Sequence, residues 1–503
     1  MGVAVDNRRI ARNTLVLYFR MLFQMAVYLY TSRVIIKVLG VVDYGIYDVV
    51  AGIITILIFL NNAMTVSTQR FITVALGEGN VDNLRKVYSG GILIHVLLAV
   101  VVLILGETVG YWYMTHYMQI PPARFGAAMT VYHCSVVSAM IMVMSVPYNA
   151  SVIAYERMTA FAAITILDVT LKLIVVCSLP YCSYDKLEAY AVLLMAEALL
   201  VRIVYGVYCK TRLKDLRFSL TVDYPLLVRM FNFAKWSMFG NLSYVCNTQG
   251  INLVLNIIGG PVVNAARGIA FQVQVAVTSF IASFQTAINP QITKIYAQGD
   301  LKSMNLLILR SSRLSFFLTL LMAVPLGLET ETILRLWLTD VPGYAVVFTR
   351  LLLCVSVVDA VANPLMVGAS ATGRIRKYHL VVGGILLCTL PLAYLAVRIG
   401  SRVEMVFVVQ LCMVLVAQCA RMMICRDLFV FSVRDFIHKV LLRIACTAAL
   451  ALPLPVFLHI YLPGTIPFRL LVCAMSVLIV AVVVVMVGLE KNERSFVLKK
   501  IHL

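Results

Sequence analysis

Positively charged side chains lie inside otherwise apolar stretches of the chain: Arg20, Arg33, Lys235 and Arg267. A charge within a membrane span is costly, and it is retained where it meets another charge, water or a substrate. Guanidinium groups bind phosphate oxygens through two parallel hydrogen bonds. We expect these four side chains to contact an anionic substrate. For each one singly, the alternative is that it reaches an interface or pairs internally.

Uncharged polar residues accompany these cations at helical spacing. Arg267, Gln274, Thr278, Gln285 and Asn289 would lie within about 60° of one another on a helix that turns about 100° per residue. Three other stretches carry similar stripes, namely Ser237, Asn241, Tyr244, Thr248 and Asn252; Arg20, Gln24, Tyr28 and Thr31; and Asp48, Thr55, Asn62 and Gln69. The stripes predict a water-filled cavity in which Gln24, Asn241, Gln274 and Asn289 contact substrate. Hydrogen bonding between helices of a dry bundle is the alternative.

Acidic residues in the apolar stretches are fewer. Asp48, Glu197 and Asp359 have no obvious partner in their own helix, so each is a candidate carrier of a coupling proton or Na⁺. The favoured alternative for each is an ion pair with an arginine of a neighbouring helix. Asp168 and Lys172 are spaced i, i+4, which predicts a plain ion pair within one helix.

No arrangement of residues indicates catalysis. The seven histidines are scattered, and the sequence contains no H-E-x-x-H, phosphate-binding P-loop or G-x-S-x-G motif. The twelve cysteines form no C-x-x-C pair and fall mainly in apolar stretches. We therefore predict a protein that is not an enzyme, with no catalytic residue, no cofactor and no metal site.

The elements that must position the polar residues are transmembrane helices. The 503-residue chain is 62% hydrophobic and 13% charged, with a mean hydropathy of +0.94, which indicates a polytopic membrane protein. A helix needs roughly 20 apolar residues to span the bilayer. The sequence predicts an all-α integral membrane fold of about 14 helices, at residues 14–38, 45–68, 87–109, 127–149, 159–180, 187–209, 228–257, 264–288, 304–328, 344–369, 378–398, 403–425, 437–461 and 466–488.

The chain contains an internal repeat. The segment from Arg70 to Asn80 returns about 220 residues later as the segment from Pro290 to Asp300, and a second matched pair follows at a similar offset. The repeat predicts two six-helix lobes, 1–222 and 223–432, related by an axis along the membrane normal, with two additional helices and a tail in 433–503. Repeats of this kind place a substrate path between them.

The formal net charge of +19 is explained by where the basic residues lie relative to the membrane. Predicted cytoplasmic segments hold about three times as many Lys and Arg residues as the external loops, which predicts that both termini are cytoplasmic. The basic stretch Arg8–Arg12 precedes a span too long for a signal core, so we expect an uncleaved first helix. Nucleic acid is not an expected partner.

Several segments resemble a known family. Asn264-Ala-Ala-Arg-Gly-Ile-Ala-Phe-Gln272, the segment from Asn289 to Asp300, Leu336-Trp-Leu-Thr-Asp-Val-Pro342 and Ala369-Ser-Ala-Thr-Gly-Arg374 resemble polysaccharide flippases of the multidrug/oligosaccharidyl-lipid/polysaccharide (MOP) exporter superfamily. More narrowly, the chain looks like an O-antigen or capsule repeat-unit flippase. Where the second half has Arg267-Gly268, the first has Tyr47-Asp48, so a symmetric arginine pair is not expected.

The resemblance implies a transporter of the bacterial inner membrane that works by alternating access. Its substrate would be an undecaprenyl-diphosphate-linked oligosaccharide, with the diphosphate on cavity arginines and the lipid tail in the bilayer. Membrane lipids, a polysaccharide polymerase and glycosyltransferases would be its partners. Three alternatives stay open: a cation-coupled multidrug exporter of the same architecture, a flippase for the peptidoglycan lipid precursor, and an integral-membrane glycan polymerase or ligase.

Overall fold

A computed structural model describes residues 7–55, 58–117, 120–219, 223–338, 341–400, 402–429, 431–490 and 493–495. Throughout these ranges the regular structure is helical, and eleven helices are long and apolar enough to cross a membrane. The predicted class, an all-α multi-pass membrane protein, is confirmed.

The chain divides into two compact units, Asp6–Asn241 and Leu242–Leu503, and the division falls inside one long helix. The predicted lobe boundary at residues 222 and 223 lies just before that helix, and the predicted lobe ranges stay a prediction. The helices of the first unit are α1 Asn7–Thr55, α2 Ile58–Glu78, α3 Val81–Leu105, α4 Tyr111–Tyr117, α5 Phe125–Ala154, α6 Met158–Ser178, α7 Lys186–Arg212 and the start of α8 Tyr224–Ala297.

Helix α5 is the centre of the first unit, because it packs against α2, α3 and α7, while α1 packs mainly on α6. Its fully buried Val131, Tyr132 and Val136 belong to one hydrophobic core, and Ala150 and Val152 to a second. The buried side chains of α5 therefore hold α2, α3 and α7 in place around it.

The second unit continues from α8 with α9 Leu301–Leu328, α10 Thr330–Trp337, α11 Ala345–Thr372, α12 Arg376–Arg398, α13 Met405–Phe429, α14 Val433–Phe436, α15 Leu442–Ala451, α16 Pro453–Tyr461 and α17 Ile466–Val483. Helix α11 packs against α9 and α13, and α17 packs on α9. The rings of Phe348 and Phe407 lie 4.6 Å apart in its core. The segments Val433–Tyr461 and Ile466–Gly488 are the last two candidate spans.

One predicted break between helices is present in the structure and another is not. Residues 14–38 and 45–68 are predicted as separate helices, and the helical backbone of α1 does break between them, at Gly40, where φ is 79°. The predicted helices 228–257 and 264–288 are one helix of 74 residues, α8. Hydropathy reports which residues are apolar, and it cannot report whether the polar turn between two apolar stretches keeps a helical backbone.

The repeated sequences adopt the same turns. Gly79 and Gly299 have φ of 71° and 80°, and the next residues, Asn80 and Asp300, accept hydrogen bonds from the backbone N–H groups three positions on. A left-handed residue followed by an N-cap is a compact helix–helix connection. The predicted breaks at these two places are confirmed.

Candidate functional site

Arg20 on α1 is half-buried and faces an aromatic ring. Its guanidinium carbon lies 4.8 Å from the ring centroid of Phe161 on α6, and Tyr205 on α7 is its polar neighbour. The buried Nε of Arg20 has no hydrogen-bond partner, and no carboxylate of the described residues lies within 4.0 Å of the guanidinium. An arginine in this setting retains donors for an incoming acceptor.

Acidic groups occupy another part of the same unit. Asp168 and Lys172 on α6 form the predicted ion pair at 2.8 Å. Glu197 on α7 is 6% exposed and lies beside Asp168, and its Oε1 has no hydrogen-bond partner. The favoured expectation of an arginine partner for Glu197 is wrong, since its charged neighbours are Asp168 and Lys172. Tyr205 is in electrostatic range of both Asp168 and Arg20, so α1, α6 and α7 contribute to one polar network.

Arg267 is the buried cation of the second unit. It is 8% exposed, donates from Nη2 to the carbonyl oxygen of Thr248 at 2.6 Å, and has its guanidinium carbon 5.4 Å from the ring centroid of Phe271. Within the described part of the chain no carboxylate lies within 4.0 Å of it. Its remaining donors are therefore uncompensated by negative charge.

Asp359 on α11 has an arginine as its charged neighbour. That residue is Arg421 on α13, which is 7% exposed and donates to Oε1 of Gln418 at 3.4 Å. Tyr378 on α12 is in electrostatic range of both charges, and Tyr244 on α8 is in electrostatic range of Asp359. The ion pair expected between Asp359 and an arginine stays a prediction.

The other predicted site residues are more dispersed. Lys235 is exposed with its Nζ 5.7 Å from the ring centroid of Trp236, and Gln24 is exposed. Half-buried positions hold three of the predicted polar contacts, Asn241, Gln274 and Asn289. The side chains of Arg33 and Asp48 lie outside the described residues. In the first unit the structure brings Arg20 into a polar network with Tyr205 and Asp168, and in the second Arg267 and Asp359 have different neighbours.

Sequence reasoning missed several ion pairs. Arg124 pairs with Asp43 at 2.6 Å and Asp185 at 2.5 Å. Arg313 is 1% exposed and pairs with Glu490 at 2.8 Å and Glu493 at 2.6 Å. Partners separated by 61 to 180 residues leave no signal in local spacing.

Two cavities are also new. One, of about 720 Å³, is lined by Tyr88, Ile92, Tyr148, Gly206, Lys210, Lys214, Leu216, Arg217 and Phe218 of the first unit. The other, of about 410 Å³ in the second unit, contains the buried Glu329, which is bonded to His459 at 2.7 Å and to Arg469 at 3.2 Å. Among the described residues no three His, Cys, Asp or Glu side chains group closely enough to hold a metal ion.

Comparison with known proteins gives the class of fold. No protein-family model matches the chain, and no curated protein matches it either. Solved structures do match, and they show that the chain has the fold of MATE transporters of the MOP superfamily.

Three of these structures cover 83% of this chain and 95% of their own. An outward-facing multidrug resistance MATE family transporter has a TM-score of 0.73 at 14% identity. A MATE protein in the straight conformation has a TM-score of 0.72 at 15% identity. A MOP superfamily transporter from Pyrococcus furiosus, described as having a binding pocket of reverse polarity that suggests a different function, has a TM-score of 0.69 at 14% identity.

Proposed function

We propose that this protein is a flippase that moves an undecaprenyl-diphosphate-linked oligosaccharide from the cytoplasmic to the periplasmic leaflet of a bacterial inner membrane. The product would feed O-antigen or capsule synthesis, and both termini would be cytoplasmic. Transport would proceed by alternating access without catalysis or a cofactor. A polysaccharide polymerase and glycosyltransferases are the proposed partners on either side of this step.

One observation carries the proposal: Arg20 and Arg267 are withdrawn from solvent inside helices and have no carboxylate partner within 4.0 Å among the described residues. A cation that folding leaves uncompensated gains most from an anionic ligand. A diphosphate offers several acceptor oxygens, and an arginine fork matches their geometry.

The surroundings of both arginines also suit an amphiphilic substrate. Phe161 and Phe271 lie against the two guanidinium groups, so each donor is presented beside apolar surface. Sugars and a diphosphate cannot cross hydrocarbon without replacing their hydration, and polar side chains along the same helices supply that replacement.

The fold alone does not select the substrate. Its solved relatives include a transporter described as multidrug-resistance and one described as having a pocket of reverse polarity. A superfamily in which pocket polarity varies is compatible with a cationic site for an anionic lipid. The uncompensated arginines are what favour the flippase over an exporter of cationic drugs.

The test is a deletion strain of the native host. Undecaprenyl-diphosphate-linked oligosaccharide is quantified by mass spectrometry beside surface polysaccharide, with drug susceptibility as the control. We expect the lipid-linked repeat unit to accumulate and the surface glycan to disappear. Accumulation of the peptidoglycan lipid precursor instead would identify the precursor flippase.

Complementation then tests the site. We expect Arg20→Ala and Arg267→Ala each to reduce surface glycan at least about tenfold at unchanged membrane abundance, since each removes charge-assisted hydrogen bonds. Arg426→Ala is the matched control, because that arginine is 71% exposed and lies on the protein surface. Full complementation by Arg267→Ala would remove Arg267 from the site.

A cation-coupled multidrug exporter is the second candidate. It is favoured by the buried Glu197, whose Oε1 has no hydrogen-bond partner and could take up a proton during exchange. Normal surface glycan with increased sensitivity to cationic drugs in the deletion strain would establish this function. In that case Glu197→Gln should abolish drug resistance.

A further inference from the structure

One cavity of the first unit lies where α7 ends. Its walls come from α3 through Tyr88 and Ile92, from α5 through Tyr148, and from the last turns of α7 and the segment that follows. The cavity measures about 720 Å³, within the usual range for small-molecule sites. None of the predicted substrate contacts lines it.

The segment after α7 is held firmly and forms a defined wall. Leu213 and Leu216 are 2% and 7% exposed and belong to the core around α5. The N–H of Leu216 donates to the carbonyl of Leu213 at 3.0 Å, and the N–H of Ser219 donates to Oγ of Ser89 on α3 at 2.9 Å. The cations carried by this segment therefore have a fixed backbone beneath them.

Three cations line the cavity without compensation. Lys210, Lys214 and Arg217 are exposed, and among the described residues no carboxylate lies within 4.0 Å of their charged nitrogens. A neighbouring acid, Asp223, is engaged elsewhere, since it lies 3.6 Å from Lys86 and accepts the N–H of Leu226 at 3.0 Å. The lining contains no acidic residue, so its charge is uniformly positive.

Aromatic rings form the opposite wall. Tyr88 and Tyr148 meet edge to face at 6.1 Å, and Phe218 is 55% exposed at the rim. The guanidinium carbon of Arg202 lies 3.7 Å from the ring centroid of Tyr148 and adds a fourth cation behind this wall. Gly206 also lines the cavity, and a Cβ added there would come within 3.0 Å of Nη1 of Arg202.

We propose that this cavity binds the phosphate headgroup of an amphiphile. Cations in a cluster select phosphate oxygens, and the aromatic and aliphatic wall takes the first carbons of the attached chain. An isoprenoid diphosphate is the natural ligand if the proposed function holds, and the inference rests on that function for this identification. The cavity would then be a headgroup site separate from Arg20, at the end of the unit that charge distribution assigns to the cytoplasm.

The experiment measures binding by calorimetry to the full-length protein in phosphatidylcholine nanodiscs, with Arg20→Ala and Arg267→Ala in every sample so that the other proposed diphosphate contacts do not contribute. The probes are farnesyl diphosphate and inorganic diphosphate, with empty nanodiscs as the blank. We expect farnesyl diphosphate to bind more tightly than inorganic diphosphate, and the triple variant Lys210→Gln, Lys214→Gln, Arg217→Gln to lose at least about a hundredfold in affinity for both. Lys214→Glu alone should lose about tenfold.

The matched control is Arg212→Gln, which removes one charge from the same helix end without touching the cavity lining. Unchanged affinity in the triple variant, or no binding by the wild type, would overturn the proposal. Equal affinity for the two probes would show a free-anion site and would overturn the amphiphile assignment. A negative binding result would overturn the headgroup site alone. The flippase proposal is tested independently by the deletion strain.

Discussion

Two buried arginines of the second unit have the same charge and different surroundings. Arg313 on α9 is 1% exposed and clamped by Glu490 and Glu493, with Arg310 and Arg443 at the edge of the same cluster. Arg267 on α8 is 8% exposed and has one carbonyl oxygen at 2.6 Å. The charge of Arg313 is neutralised by two glutamates of the protein. The charge of Arg267 has no such partner among the described residues and is available to an anionic ligand.

This difference separates structural from functional cations. Burial of an ion costs several kcal/mol unless partners replace its hydration. At Arg313 the partners are supplied by the C-terminal segment, so removal should damage stability. At Arg267 and Arg20 few partners are supplied, so removal should damage transport and leave stability nearly intact.

The largest expected effect is on stability at Arg313. Arg313→Met should lower the free energy of unfolding by about 3 kcal/mol, because Glu490 and Glu493 lose their shortest ion pairs and keep only the longer ones to Arg443 and Arg310. Arg267→Met should change it by less than about 1 kcal/mol, since only the hydrogen bond to the carbonyl of Thr248 is lost. Thermal and denaturant unfolding in nanodiscs would measure the free energy of unfolding of both variants. Equal losses would contradict the distinction between Arg313 and Arg267.

A second paired arginine gives an intermediate effect that depends on pH. Hydrogen bonding from Arg124 holds the pKa of Asp185 below its usual range. Burial acts in the opposite direction, and hydrogen bonds from backbone N–H groups lower the pKa further. The stabilisation is fully present above the ordinary Asp pKa of about 3.9 and is lost as pH falls through the lower folded value. Arg124→Gln should cost about 1.5 kcal/mol at neutral pH, after allowance for solvent screening.

The matching measurement is the unfolding midpoint of wild type and Arg124→Gln from pH 7 to pH 3. The difference between them should shrink as pH falls below about 4. Lys439→Gln, which removes an exposed i, i+4 pair with Asp435, is the control and should change little. A constant difference across this range would remove Asp185 from the interaction.

A small effect is expected from the backbone conformation of one glycine. It involves no charged group and serves as a reference for the effects of the arginine substitutions. Gly299→Ala should lower stability by about 1 kcal/mol, because φ of 80° is unfavourable for a residue with a Cβ. Gly343→Ala is the control: an added Cβ there also meets no atom within 4 Å, and its φ is not positive. Equal unfolding midpoints for the two variants would contradict the assigned cost.

The sequence predicted those features that depend on local pattern. Hydropathy predicted the helical membrane class, the spacing of Asp168 and Lys172 predicted their ion pair, and the repeat predicted the turns at Gly79 and Gly299. Each rests on residues that are neighbours in the chain. The i, i+4 rule and the glycine signal need no knowledge of tertiary contacts.

The remaining features depend on contacts between distant residues. Glu197 was expected beside an arginine and lies beside Asp168, because the rotation of α7 against α6 is set by packing. The acids that pair with Arg124 and Arg313 are too distant in sequence for spacing to reveal. The cavity at the end of α7 required the turn after Arg212, which places cations against the rings of α3 and α5.

The clamp on Arg313 also constrains how the protein is made. Arg313 precedes Glu490 by 177 residues, which at about 5–20 residues per second corresponds to roughly 10–35 s of translation. During that interval the nascent chain carries an unmatched cation among helices already being inserted. The packing of α9 in the second unit is therefore complete only after Glu490 and Glu493 have been made.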